Sequence, residues 1–166
     1  MGQVGETVFL GVLNGDHVTI LDVVESSKEM KITSPPGTRL PLLVGATGRV
    51  LLAQLEKEKA KEIVQRIGLA RYTSRSVVDP KQFLKEVDSA REMGYAIDDE
   101  EYILGVKAIA APIQTTSLPP AAIWVVGFTS TLDHKKEKGV CLEIQKAAME
   151  IDHFLKTVIN GVLHAQ

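Results

Sequence analysis

Residues 31–55 read KITSPPGTRLPLLVGATGRVLLAQL, and this stretch decides the fold. An extended, proline-framed arm leads into a glycine-bracketed turn, Gly45-Ala46-Thr47-Gly48, and then into an apolar helix. The first turn of any α-helix carries N–H groups without intrahelical partners, so this layout suits a small anion such as a carboxylate. Taken alone, a glycine pair before a helix more often serves close packing, and Thr47 can equally serve as an N-cap. No Gly-Lys-Ser/Thr follows the turn and the Rossmann spacing is missing, which removes the common nucleotide-binding readings.

Upstream of this stretch, Glu6–Leu13 and His17–Val24 are rich in β-formers. Asn14-Gly15 lies between them, the signature of a hairpin with a type I′ turn. Met30–Ser34 is expected as a third strand, closed by Pro35-Pro36-Gly37, with Pro41 fixing the entry to Leu42–Val44. Downstream, a helix is expected over Thr47–Lys59, burying Val50, Leu51, Leu52 and Leu55. A second is expected over Lys59–Ile67, stopped by Gly68. Arg71–Val78 reads as a loop. Asp79-Pro80-Lys81-Gln82 combines an N-cap, a proline at N1 and a glutamine at N3, opening a helix that ends at Met93 before Gly94.

Lys107–Thr115 and Ala121–Thr129 are apolar on successive residues, as expected for strands covered on both faces, and a Ser-Leu-Pro-Pro turn joins them. A long helix, Lys135–His164, carries Val140, Ile144, Ala147, Ile151, Leu155, Val158 and Val162 on one stripe. The resulting order β-β-β-α-α-α-β-β-α predicts an α+β fold built on a mostly antiparallel sheet, as one domain over residues 1–166.

Composition sets bounds. The 166 residues are 45% apolar and 24% charged, with 19 Lys and Arg against 21 Asp and Glu and a net charge of −2. No basic face for nucleic acid or for an anionic membrane is expected from that balance. Length alone supports a real core without disulfides or metals. The single cysteine, Cys141, has Val140, Leu142 and Ile144 around it and reads as a packed thiol in a reducing cytoplasm. The apolar run Val8–Leu13 is too short for a signal peptide, and no window approaches a membrane span.

Candidate chemistry is sparse. Asp98-Asp99-Glu100-Glu101 is the acidic cluster, but adjacent side chains diverge. Three of the four are expected in a solvated turn, with one facing inward as a hydrogen-bond acceptor. His17, His134, His153 and His164 are scattered without metal spacing, and neither a Ser–His nor a Cys–His catalytic pair is legible. Trp124 shares one strand face with Ala122, Val126 and Phe128, while Ala108 and Ala110 share a face on the neighbouring strand. If those faces coincide, the indole lies over small residues and either fills that space or walls a pocket.

Three segments carry a family resemblance: GETVFLGVLNGDHVTILDVVES, SPPGTRLPLLVGATGRVLLAQL and GYAIDDEEYILGVKAIAAPI, followed by AAIWVVGF and the long last helix. Their order and content resemble the effector-binding domain of the IclR-type transcriptional regulators across essentially the whole chain. The resemblance implies a GAF-like fold: a central antiparallel sheet flanked by helices, with a long C-terminal helix and a metabolite pocket on one side. It implies no enzymatic activity, no cofactor and no metal.

Residue by residue, the resemblance puts anion-holding backbone amides at Ala46 and Thr47 and a ligand-facing aspartate at Asp98. It puts apolar walls at Ile32, Leu40 and Val106. Where organic-acid sensors of the family present a thiol and two hydroxyls, this chain has Ala108, Trp124 and Val126. A buried donor to a carboxylate is worth about 1.5–3 kcal/mol, so affinity for glyoxylate- or pyruvate-sized acids is expected to be lost. A more apolar or aromatic effector is expected instead, or a pocket partly closed by Trp124.

The implied partners are a small-molecule effector and further copies of the chain, as homodimer or homotetramer. DNA would be reached only through an N-terminal winged helix-turn-helix that is not among these residues, so the chain is read as an excised sensor domain. Two rival readings remain: a structural oligomerisation module with an occluded pocket, and an enzyme built on the acidic cluster.

Overall fold

The computed structural model describes residues 5–114 and 119–165. Strands β1 (Thr7–Asn14) and β2 (His17–Val24) form the expected hairpin. Its turn residues are Gly15 and Asp16, because Asn14 pairs with His17. Among the turn residues only Gly15 has positive φ, at +61°, so the turn follows the II′ rule of glycine at the first central position rather than the expected I′ geometry. A bulge at Leu21 shifts the register, with Leu10 opposite Asp22 but Gly11 opposite Ile20.

The third strand is displaced from its expected place. Met30–Ser34 is not a strand; β3 is Arg39–Pro41. The cause lies in the backbone bonds beside the two prolines. Gly37 N–H donates to Ile20 C=O, and Ile20 N–H donates to Thr38 C=O, so the chain joins β2 only after Pro35-Pro36 and not before.

Helix α1 runs Gly45–Leu52, two residues earlier than expected at its start. Val44 is the N-cap residue and no side chain caps the helix, so Thr47 is a first-turn residue and not the cap. The helix also stops early. Gln54 and Leu55 N–H groups bond three residues back, and Arg91 donates to the carbonyls of Ala53 and Leu55. The chain then restarts as α2 (Lys57–Ile67). Helix α3 (Pro80–Met93) follows its predicted signals, with Asp79 accepting from Gln82 N–H and Gly94 left-handed at φ +76°.

A short strand not foreseen in the sequence, β4 (Ala96–Asp99), then leads to β5 (Val106–Ile113), β6 (Ala121–Phe128) and α4 (His134–His164). Of the expected strand end and the turn after it, Thr115, Ser117 and Leu118 lie outside the described residues. The six strands form one sheet in the order β3-β2-β1-β6-β5-β4, with every pair antiparallel.

Alternation sorts the strand residues onto two cores. Phe9, Ala110, Ala122 and Trp124 face α1, α2 and α3, whose Val50, Leu52, Val64 and Phe83 are buried against them. Val8, Ile109, Ile123 and Val125 face α4 through Val140, Cys141 and Ile144. Both faces of β5 and β6 are therefore covered, as their continuous apolar runs require. Burial pushes the Cys141 thiol up to about 11, which suits packing rather than reactivity. The α4 stripe is buried only in part. Ala147, Ile151 and Leu155 are half-buried, whereas Val158 and Val162 of the predicted stripe are exposed, with Phe154 and Leu163.

Candidate functional site

The nine residues singled out in the sequence converge on one cavity of about 120 Å³ between α1, the sheet and the β4–β5 loop. Ile32, Leu40, Ala46, Thr47, Asp98, Val106, Ala108, Trp124 and Val126 all line it. It is also lined by Phe9, Val18, Ile20, Ser34, Pro41, Val44, Tyr102 and Ile103. Some of these carried a sequence signal. Ser34 lies two residues beyond Ile32 on the same extended arm, and Tyr102 and Ile103 follow the acidic cluster directly.

The head of the cavity is the start of α1. Ala46 and Thr47 are the second and third helical residues, so neither N–H has an intrahelical acceptor. Among the described residues no hydrogen bond occupies these two amides, and no side chain caps the helix. Both glycines of the turn are set by close approach. A Cβ on Gly48 would fall 1.9 Å from the Leu42 carbonyl oxygen, and one on Gly45 would fall 2.2 Å from Asp98 Oδ2. Gly45 also has φ +64°. The packing role and the open amides therefore coexist in one turn.

Asp98 stands beside those amides on the edge strand. It is 7% exposed, and its Oδ1 accepts the Glu101 N–H at 2.7 Å. Burial pushes its carboxyl up to about 6, helped by the Glu101 charge and opposed by the Glu101 N–H bond and by Arg49. A carboxyl near 6 can take a proton when a second negative charge arrives.

The acidic cluster is less solvated than its sequence suggests. Glu101 is buried together with Asp98, while Asp99 and Glu100 are partly exposed and pair with Arg75. Two members thus face inward rather than one. The reason is Arg49, which the sequence reading missed. This buried guanidinium lies on α1, bonded to both Glu101 oxygens at 2.7 and 2.8 Å and to Glu86 at 2.6 Å. Burial works against its charge, but the Glu101 hydrogen bonds and the carboxylates around it outweigh that and hold its pKa above the usual value. An arginine inside an otherwise apolar helix segment, RVLLAQL, is the signal that could have predicted a buried acidic partner.

Trp124 neither leaves the cavity nor closes it. Its ring stacks on Phe9 at 5.6 Å and 23°, and its edge lies over Gly11, where a Cβ would fall 2.6 Å from Cη2. The indole therefore fills the space above Gly11 and forms one wall. His17, His134, His153 and His164 are all exposed, and among the described residues no group of three or more His, Cys, Asp or Glu could hold a metal ion.

A GAF-like sheet with an uncapped helix start, an edge aspartate and a mostly apolar hollow open on one side is the architecture of a small-molecule-binding domain. The chain belongs to the family described as Bacterial transcriptional regulator IclR C-terminal, whose sequence model matches residues 1–153. It is 34% identical over 129 residues to the HTH-type transcriptional repressor AllR of Escherichia coli K12, covering 77% of this chain and 48% of the relative. It is 34% identical over 154 residues to the transcriptional repressor IclR of the same organism, covering 91% of this chain and 56% of the relative. The chain thus spans about half the length of these curated relatives, both transcriptional repressors.

Among solved structures, the inducer-binding domain of the PobR transcription factor from Acinetobacter superposes with a TM-score of 0.81 at 29% identity. The match covers 91% of this chain and 90% of that one, and that structure is a double mutant in complex with 3-hydroxybenzoic acid.

Proposed function

We propose that this chain is the effector-sensing domain of a transcriptional regulator and that its effector is a monocarboxylate with an apolar body, an aromatic ring included. The carboxylate accepts from the Ala46 and Thr47 amides. Asp98 takes up a proton and faces it as a donor, and Ile32, Leu40, Val106, Ala108, Trp124 and Val126 hold the apolar part. One observation carries the reading: a hollow of about 120 Å³, open to solvent on one side, in which unpaired helix amides and a carboxyl near 6 form the polar end of a mostly apolar wall. A closed apolar cavity of about 150 Å³ accepts benzene; this hollow is smaller but open on one side, so a single-ring acid fits with one edge at the mouth.

Binding would favour one arrangement of the domain and so alter how attached N-terminal helix-turn-helix heads sit on DNA, by no more than the effector's difference in affinity between the two states. The names of the relatives support that attachment, and the exposed apolar half of α4 supports assembly as a homodimer or homotetramer. A cytoplasmic location fits such a regulator. No described helix is long and apolar enough to cross a membrane.

The test is calorimetry at pH 6 with benzoate, 3-hydroxybenzoate, pyruvate and glyoxylate. The two aromatic acids are expected to bind at least about tenfold more tightly than the small ones, because the lost hydroxyls and thiol remove about 1.5–3 kcal/mol each from a small polar ligand. Micromolar binding of glyoxylate or pyruvate overturns the aromatic reading, and no binding by any of the four overturns this choice of ligand class.

A further inference from the structure

Arg49 lies on the helix that heads the cavity but does not line the cavity. Its guanidinium points to the opposite side of α1, toward Glu86 on α3 and the far side of the β4–β5 segment. Its positive charge is already matched there by Glu86 and Glu101, which leaves none for a ligand. What it does hold is the backbone around Asp98. One nitrogen donates to the Ile97 carbonyl and two nitrogens fork onto the Glu101 carboxylate, so the residues bracketing Asp98 are both tied to α1. Glu101 in turn donates its own N–H to Asp98 Oδ1 at 2.7 Å. On the other side, Asp98 Oδ2 abuts Gly45, the first residue of the same helix. The outer flank of the loop is fixed separately, by Thr73 and Ser76 hydroxyls donating to the Glu100 and Glu101 carbonyls at 2.7 Å each.

We propose that Arg49 is the positioning residue of the effector site, setting the gap between the Asp98 carboxyl and the Ala46 and Thr47 amides through its planar fork on Glu101. This rests on the reading of the cavity as an effector site. An ammonium cannot reproduce the arrangement, because it lacks the rigid two-pronged geometry that grips both carboxylate oxygens and a carbonyl together. Sites of this kind tolerate misplacement of only about half an ångström, so a slack Asp98 loop separates donor from acceptors even where the fold survives.

Two variants test it: Arg49→Lys, which keeps the charge and loses the fork, and the double variant Arg49→Met/Glu101→Gln, which removes both buried charges together so that neither is stranded. Both are read by calorimetry with benzoate and 3-hydroxybenzoate, and Arg49→Lys, which keeps every charge around Asp98, also by the ¹³C titration of the Asp98 carboxyl. In a folded variant the expected result is a loss of about ten- to a hundredfold in affinity, with the Asp98 titration of Arg49→Lys moving down toward ordinary carboxylate values as its loop opens to water. Wild-type affinity in either folded variant overturns the proposal, and so does lost affinity in Arg49→Lys with an unmoved Asp98 titration. If Arg49→Lys does not fold, the affinity of the double variant decides. If the wild-type domain binds neither acid, the aromatic-effector reading falls, and the Asp98 titration in Arg49→Lys alone decides whether Arg49 positions this carboxyl.

Discussion

Asp98→Asn is expected to stabilise the domain at neutral pH while leaving it unchanged in acid. The buried carboxyl is pushed from 3.8 to about 6, so the native state binds a proton more tightly than the unfolded chain. Stability therefore falls as pH rises through the window from 3.8 to about 6. Above that window the full penalty applies, and at 1.36 kcal/mol per pH unit it reaches about 3 kcal/mol as an upper bound. Asparagine keeps an oxygen for the Glu101 N–H and carries no charge to desolvate. Urea denaturation of both proteins at pH 8 is expected to show the variant more stable, by as much as about 3 kcal/mol, with the difference gone near pH 3.5.

Glu101 and Arg49 act on the same carboxyl and are unchanged in the variant, so their effects cancel in the difference between the two proteins across pH. Benzoate adds a second readout. With its carboxyl at about 6, Asp98 is protonated in roughly one molecule in ten at pH 7, so wild-type affinity falls nearly tenfold per pH unit above neutrality. The variant should show no such slope. A variant less stable than wild type at pH 8, or a stability gap independent of pH, refutes the reasoning.

Other substitutions probe other parts of the same structure. Gly45→Ala places a methyl 2.2 Å from Asp98 Oδ2 at φ +64°. It should cost about 1–3 kcal/mol in a melt and abolish benzoate binding, since the amides and the carboxyl cannot both keep their places. Trp124→Ala removes the wall above Gly11 and should destabilise by about 3–5 kcal/mol while admitting larger, two-ring acids. Asp133→Ala removes the side chain that accepts from the Lys135 and Lys136 N–H groups at the start of α4, and about 1 kcal/mol is expected to be lost without any change in ligand affinity.

Local chemistry made much of this protein legible in its residues. Asp79-Pro80 announced α3, and the unbroken apolar runs of β5 and β6 announced a sheet covered on both sides, as the two cores show. The cavity residues came from the family resemblance, whose segments run without gaps, and all nine meet around one hollow. What stayed hidden was set by partners distant in sequence. The end of α1 depends on Arg91 reaching across from α3 to take its carbonyls. The inward turn of Glu101 depends on Arg49, 52 residues earlier. The short strand β4 has few β-forming residues and is a strand because it pairs with β5. No window of neighbouring residues contains those facts.

The first strand occupies the middle of the sheet, hydrogen-bonded on one side to β2 and on the other to β6, so that Phe9 faces Trp124 across more than a hundred intervening residues. On the ribosome, β1 and β2 emerge early and then wait with one edge open. At synthesis rates of about 5–20 residues per second, that delay is on the order of ten seconds. The domain can close its sheet only once most of it has been translated, and contacts of such long range make folding slow. A nascent hairpin with an unsealed central edge is open to pairing with its neighbours on the same message until β6 arrives, a direct consequence of where that strand sits.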